Sequence, residues 1–178
     1  MIYVLAFLIT ATTTGFLVRA NSKVAIIVGA LILASFAALR GSDVAADFLV
    51  YQDWYSSRDL GSGFLERPGL FEAVYFLLND FFEAGGIPFR GFVWFLAFIA
   101  VLMKIRVIVS FAKNGWSVGV SVLIYALTFY LLHDFTQVRA GLAIAFIFLA
   151  VRSLVNGNRT HFALFVLIAT GFHSSALM

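Results

Sequence analysis

The sequence predicts an all-α fold: a polytopic integral membrane protein with about six transmembrane helices plus an external amphipathic or re-entrant helix. Three observations predict it. Apolar residues make up 62% of the 178 and come in long runs. A run of roughly 17–25 such residues can cross a bilayer as a helix, which satisfies its own backbone hydrogen bonds where lipid cannot. Charged residues make up 12%, half of the roughly one quarter usual in soluble domains. The charges are also sided, as the order of the runs makes plain.

Met1–Val18 is a first span, closed by Arg19 and Lys23. It lacks a basic leader and a clear small-residue cleavage site, so it reads as a retained span and not a signal peptide. Val24–Leu39 is a second span, closed by Arg40. Leu70–Phe82 differs. At about 100° per residue, Glu72, Asn79 and Glu83 fall on one stripe with Asp80 beside it, and the other positions are Leu, Phe, Val and Tyr. That pattern suits a helix lying in or dipping into the interface; a plain spanning helix with polar ends is the alternative. Gly91–Ile108 is a third span, with Lys104 and Arg106 near its end. Trp116–Leu132 is a fourth, Ala140–Leu154 a short fifth broken by Arg152, and Phe162–Met178 a sixth.

The positive-inside bias orients the runs. With the N-terminus external, Arg19, Lys23, Lys104, Arg106, Lys113, Arg152 and Arg159 are cytoplasmic, seven of the 12 basic residues. All nine acids (Asp43, Asp47, Asp53, Asp59, Glu66, Glu72, Asp80, Glu83 and Asp134) then fall in external segments. The opposite orientation would place those seven basic residues outside. No internal repeat or long linker is evident, so residues 1–178 read as a single transmembrane domain. The chain stops at Met178 inside an apolar run, and the expectation is a C-terminally truncated portion of a longer protein. Zero cysteines exclude disulfides and thiol chemistry without deciding the compartment. The net charge of +3 reflects loop residues on the cytoplasmic side and gives no sign of nucleic-acid binding.

Three constellations share the external side. In the first, Arg40, Asp43, Asp47 and Tyr51 are spaced three or four apart, so one helix would align them. An Arg beside two carboxylates can bind phosphate, and a carboxylate can take a proton from a sugar hydroxyl. The plainer reading is an interfacial helix start with Arg40 snorkelling. The second is the stretch from His133 to Gly141. Asp134 and Gln137 have capping-box spacing, so a helix is expected to start there with Asp134 as its cap. Arg139 in its first turns, at the membrane boundary, would suit a phosphate. The third is His173 with Ser174 and Ser175, at the depth of the first two. It is a donor to a pyrophosphate, an acid–base, or simply an interhelical hydrogen-bonding residue. No phosphate-binding Gly-Lys loop, nucleophile elbow or His-Glu-x-x-His motif is present, and the three histidines lack metal-site spacing.

Four motifs occur in order: Arg40-Gly41-x-Asp43 with Asp47 and Tyr51; Glu72-x-x-Tyr75-Phe76-Leu77-Leu78-Asn79; Gln137-x-Arg139-x-Gly141-Leu142-Ala143; and Phe172-His173-x-Ser175-Ala176-Leu177. In these the chain resembles the EpsG-type family of Wzy-like exopolysaccharide and O-antigen polymerases. The resemblance implies a multi-pass enzyme of the bacterial inner membrane that joins undecaprenyl-pyrophosphate-linked repeat units at the external face. It implies a lipid-linked oligosaccharide as substrate, and the bilayer and other polysaccharide assembly proteins as partners. No cofactor is expected, and no residue is singled out as a metal ligand. Arg40, Arg139 and Gln137 would then bind the pyrophosphate. Asp43, Asp47, Glu72 and His173 would be catalytic, with the acceptor base among the three carboxylates. The alternative is a lipid-linked oligosaccharide flippase or carrier, or a non-catalytic accessory protein of polysaccharide assembly. A carrier would need charges strung along a path between both faces.

The orientation predicts a labelling pattern. Single cysteines at Ser62 and Thr136 should react with an impermeant thiol reagent from outside, and cysteines at Ser22 and Asn158 should not. Labelling at Asn158 without labelling at Ser62 would reverse the topology.

Overall fold

A computed structural model describes residues 2–20, 22–42, 44, 47–56, 73–173 and 176. Among these residues every regular element is helical and there are no strands. In chain order they are α1 (Ile2–Val18), α2 (Lys23–Ala38), α3 (Asp47–Ser56), α4 (Ala73–Ala84), α5 (Phe89–Phe111), α6 (Gly115–Tyr125) continuing into a π-helical segment (Ala126–Thr136), α7 (Val138–Val155) and α8 (Arg159–Phe172). The N-termini of α2, α6 and α8 are capped by side chains. Ser22 accepts from the Ala25 N–H, Asn114 and Ser117 form a reciprocal capping box, and Asn158 accepts from the His161 N–H. Glycines stop α4 and α7: Gly86 (φ 69°) and Gly157 (φ 76°) adopt the left-handed conformation. The next residue's N–H then reaches back to Phe82 in one case and Ser153 in the other.

Three helices are long and apolar enough to cross a bilayer: α5 with 23 residues, α6 with its π-helical continuation with 22, and α7 with 18. The apolar α1, α2 and α8 are shorter, at 17, 16 and 14 residues. The expected sixth run to Met178 ends earlier. The helix stops at Phe172, and His173 turns to extended backbone (φ −157°, ψ 127°). The 12 residues of α4 cover about 18 Å, short of the roughly 30 Å hydrocarbon core. Its polar stripe is not simply turned to solvent. Asn79 is 1% exposed and donates to the Trp54 carbonyl, while Leu77 and Phe81 face outward.

Small residues set the helix approaches, as suits packing in lipid. A Cβ at Gly119 would sit 3.0 Å from the Gly15 carbonyl, and one at Gly115 would sit 2.5 Å from that of Arg19. Thus α1 and α6 run antiparallel, with the end of one beside the start of the other. Ala30, Ala34, Ala37 and Ala38 bury one face of α2, which packs on α5. The pairings Trp94–Ser35 and Arg90–Ala38 fix an antiparallel register. The groove between α5 and α7 is lined by Val107, Ile108 and Phe111 of one and Ile147, Phe148 and Val151 of the other, so the later turns of both helices lie side by side.

Together these registers bring Arg19, Lys23, Arg106, Lys113, Arg152 and Arg159 to one end of the bundle. Arg40, Arg90 and the α3–α4 layer lie at the other. Lys104 leaves the set of terminal charges expected from the sequence. It points into the bundle, 0% exposed.

Close α1–α6 approach predicts that Gly119→Val lowers stability by roughly 1–3 kcal/mol through overpacking, read as a lower Tm in detergent. Gly85→Ala, whose added carbon meets only ordinary contacts, should leave it unchanged.

Candidate functional site

The first constellation is not one helical face. The α2 helix ends at Ala38, Gly41 and Val44 close a turn, and α3 starts at Asp47. Asp43 lies outside the described residues, as does Glu72. Asp47 and Tyr51, four apart in α3, share a face, and Asp47 is close enough to Arg40 for its charge to act there. Arg40 is 1% exposed. Its Nη1 donates to the Ala37 carbonyl at 3.1 Å, and its Cζ lies 5.4 Å from the Phe48 ring and 5.7 Å from Phe135. Nε and Nη2 have no hydrogen-bond partner among the described residues. Arg90 reaches from α5 to the same helix end, donating to the Ala38 carbonyl at 2.8 Å and the Arg40 carbonyl at 3.0 Å. Two guanidinium groups therefore sit at the negative end of the α2 dipole. Burial lowers the Arg40 pKa to about 10, against the pull of Tyr130 and Tyr51, so it stays a cation at neutral pH.

Arg139 is the second residue of α7 and lies against three aromatic rings. Its Cζ is 4.6 Å from Trp54, 5.1 Å from Tyr51 and 5.4 Å from Tyr75. The rings belong to α3 and α4, so this cation ties the α3–α4 layer to α7. Rings attract a guanidinium through its faces and leave its in-plane N–H directions to oxygen. Tyr51 also acts on Arg40, which links the two cations through one ring. Tyr55, one turn after Tyr51, donates to the Ile87 carbonyl at 2.5 Å, and burial, with Glu83 second, raises its phenol pKa. Gln137 is the connecting residue before α7, and its carbonyl accepts from the Gly141 N–H at 2.8 Å. His173 lies within electrostatic reach of His133, as do Lys104 and Asp134. Of the residues singled out in the sequence, the fold brings Arg40, Asp47 and Tyr51 together, places Arg139 against the same Tyr51, and sets His173 near the start of α7.

Asp134 is not a helix cap, and the Asp134–Gln137 capping box does not form. The α7 N-terminus has no side-chain cap. The Asp134 carboxylate instead takes Lys104 Nζ on Oδ1 at 2.6 Å and the Tyr125 hydroxyl on Oδ2 at 2.6 Å, with both ion-pair partners 0% exposed. The π-helix makes this possible. Nine α-helical residues turn about half a revolution beyond two full turns, which would put Tyr125 and Asp134 on opposite faces. At about 4.4 residues per turn, the wider helix returns Asp134 to the Tyr125 side. Gly141 is required beside it, since a Cβ there would lie 2.7 Å from Asp134 Oδ1 and 3.0 Å from the His133 carbonyl. Sequence reasoning took Lys104 for a topological charge. The missed signal was an ionisable residue well inside an apolar run, seven residues short of its helix end. Among the described residues no cluster of His, Asp and Glu could hold a metal ion.

Breaking one partner of this pair leaves a buried charge uncompensated. Asp134→Leu or Lys104→Met alone should each cost about 3–5 kcal/mol, while the double variant should unfold at a higher temperature than either single one. Additive losses in thermal unfolding would mean that the two residues are not energetically coupled.

No curated protein and no solved structure matches the chain. The EpsG family model matches residues 23–178, a stretch that takes in all four motifs and both arginine sites. The chain belongs to the EpsG family and is a membrane protein of polysaccharide assembly.

Proposed function

We propose that this chain is a bacterial polysaccharide polymerase, or the N-terminal part of one. It would join undecaprenyl-pyrophosphate-linked repeat units at the external face of the inner membrane. In this reading the bundle spans the membrane about six times with its N-terminus external, as one domain, and α3 and α4 lie at the external interface. The observation that carries the reading is the convergence of Arg40, Arg139 and Asp47 around Tyr51 at the end of the bundle away from the basic cluster. Glycan transfer from a lipid pyrophosphate needs a carboxylate near the acceptor and fixed cations at the leaving group. In the proposed step a carboxylate takes the proton of the acceptor hydroxyl, and that oxygen bonds to the anomeric carbon of the donor glycan. The bond from that carbon to the pyrophosphate breaks, and undecaprenyl pyrophosphate leaves with its negative charge.

Arg139 and Arg40 would meet that charge, Arg40 through Nε and Nη2, with Gln137 and His173 in support. Fixed donors aimed at developing charge act most strongly where water is excluded. The base is Asp43, Asp47 or Glu72. Asp43 is the first choice because it follows Arg40 by three residues at the membrane exit. The second reading, a carrier, draws on Lys104 and Asp134, ionisable groups inside the apolar bundle. Their mutual ion pair neutralises both, which leaves no net charge there to draw an anionic head group through, and the polymerase reading is preferred.

Arg139→Lys keeps the charge but loses the planar two-pronged donor set. In the full-length protein it should lower polymer formation by about two to three orders of magnitude at normal expression. Asp43→Asn should abolish polymerisation while lipid-linked donor still binds, and Asp53→Asn should do little. Normal polymer from Asp43→Asn with none from Glu72→Gln would move the base to Glu72. Normal polymer from the Asn or Gln variant of each of Asp43, Asp47 and Glu72 would favour the carrier.

A further inference from the structure

A second site lies at the opposite end of the bundle, in the groove between α1 and α6. It has a volume of about 210 Å³ and its lining is almost wholly apolar. Gly15 and Gly119 face each other across its floor, where the backbones approach too closely for side chains. Phe16, Val120 and Leu123 line its sides. Phe16 is 76% exposed and Trp116 67%, so the groove opens outward on a surface built to meet lipid.

One cation stands in this lining. The Arg19 guanidinium stacks on Trp116, with Cζ 4.0 Å from the ring. Among the described residues it has no carboxylate partner. Its surroundings are basic as well. Lys113 lies two residues before Gly115, which touches the Arg19 backbone, and Lys23 opens the next helix. The described acids lie elsewhere, in α3, in α4 and in the Lys104 pair. An open apolar slot with an unneutralised, ring-stacked cation at one end has the shape of an acidic phospholipid in reverse.

We infer that this groove binds an anionic phospholipid, with an acyl chain along the Gly15–Gly119 floor and the head-group phosphate on Arg19. Stacking fixes the guanidinium plane and leaves its in-plane donors for the phosphate oxygens. Basic pockets between transmembrane helices bind acidic head groups by this combination. The inference needs only membrane placement and stands apart from the polymerase reading.

Trp116 supplies the probe. The purified chain is reconstituted in phosphatidylcholine bilayers containing a small fraction of chain-brominated phosphatidylglycerol or, separately, chain-brominated phosphatidylcholine. Subtracting the emission of Trp116→Phe isolates the quenching of Trp116. Brominated phosphatidylglycerol should quench it at lower mole fraction than brominated phosphatidylcholine. Arg19→Gln should weaken that preference about five-fold, which corresponds to about 1 kcal/mol per cation near an anionic surface. Arg19→Lys should keep part of it, and Arg152→Gln, at the same end but outside the groove, should keep all of it. Val120→Phe, which fills the exposed slot, should reduce quenching by either lipid. Equal quenching by the two lipids, a preference that survives Arg19→Gln, or no quenching by either would overturn the site.

Discussion

The fold turns on one buried ion pair. Lys104 of α5 and Asp134 of the π-helical segment meet at 2.6 Å with no exposure to solvent, and Tyr125 donates to the second carboxylate oxygen. Neither charge can stay ionised in an apolar bundle without the other. The pair therefore fixes how far α5 and the π-helical segment slide past one another, and Gly141 brings α7 against the same carboxylate. Two residues separate Asp134 from Gln137 and four separate it from Arg139, so what sets Asp134 also sets the start of α7. The tyrosines complete the arrangement. Tyr130, on the same widened segment, donates to the Leu33 carbonyl at 2.7 Å and so ties it to α2.

At the end of the bundle that carries the candidate site, arginines meet helix-end carbonyls and aromatic rings. Arg40 and Arg90 satisfy the last carbonyls of α2, and Arg139 rests among Tyr51, Trp54 and Tyr75. Rings stabilise a guanidinium without cancelling its charge. The two charged regions differ. The Lys104 pair is internally neutral and architectural, while Arg40 keeps Nε and Nη2 without a hydrogen-bond partner among the described residues.

Six of the seven basic residues that the charge bias assigned to one face do gather at one end of the helices. They flank the ends of apolar runs, and a chain of alternating antiparallel helices brings every second end together. Lys104 broke the pattern because linear sequence does not show whether a charge near a helix end turns outward or inward. The Arg40–Tyr51 alignment failed for a related reason. Spacing of three and four implies a shared face only on an unbroken helix, and the chain turns between Ala38 and Asp47. On α4 the polar stripe was legible, but its exposure was not. Asn79 found a backbone acceptor at Trp54, 25 residues earlier, a partner that no local pattern reveals.

What the sequence determined by itself was the class of protein and its family. Apolar runs, scarce charge, their sidedness and four ordered motifs are all properties of residue type and order. It also marked Arg40, Arg139, Gln137 and His173 as residues of interest, since each stands out from its apolar neighbours. Tertiary structure alone decided which residues meet. Asp134 reads as a helix cap from its spacing to Gln137, yet the π-helix rotates it onto the Tyr125 face and Lys104 neutralises it there. The physical reason is that helical phase accumulates along the chain. A small change in residues per turn, sustained over 11 residues, moves a side chain to the other face, and only contacts distant in sequence make that change favourable.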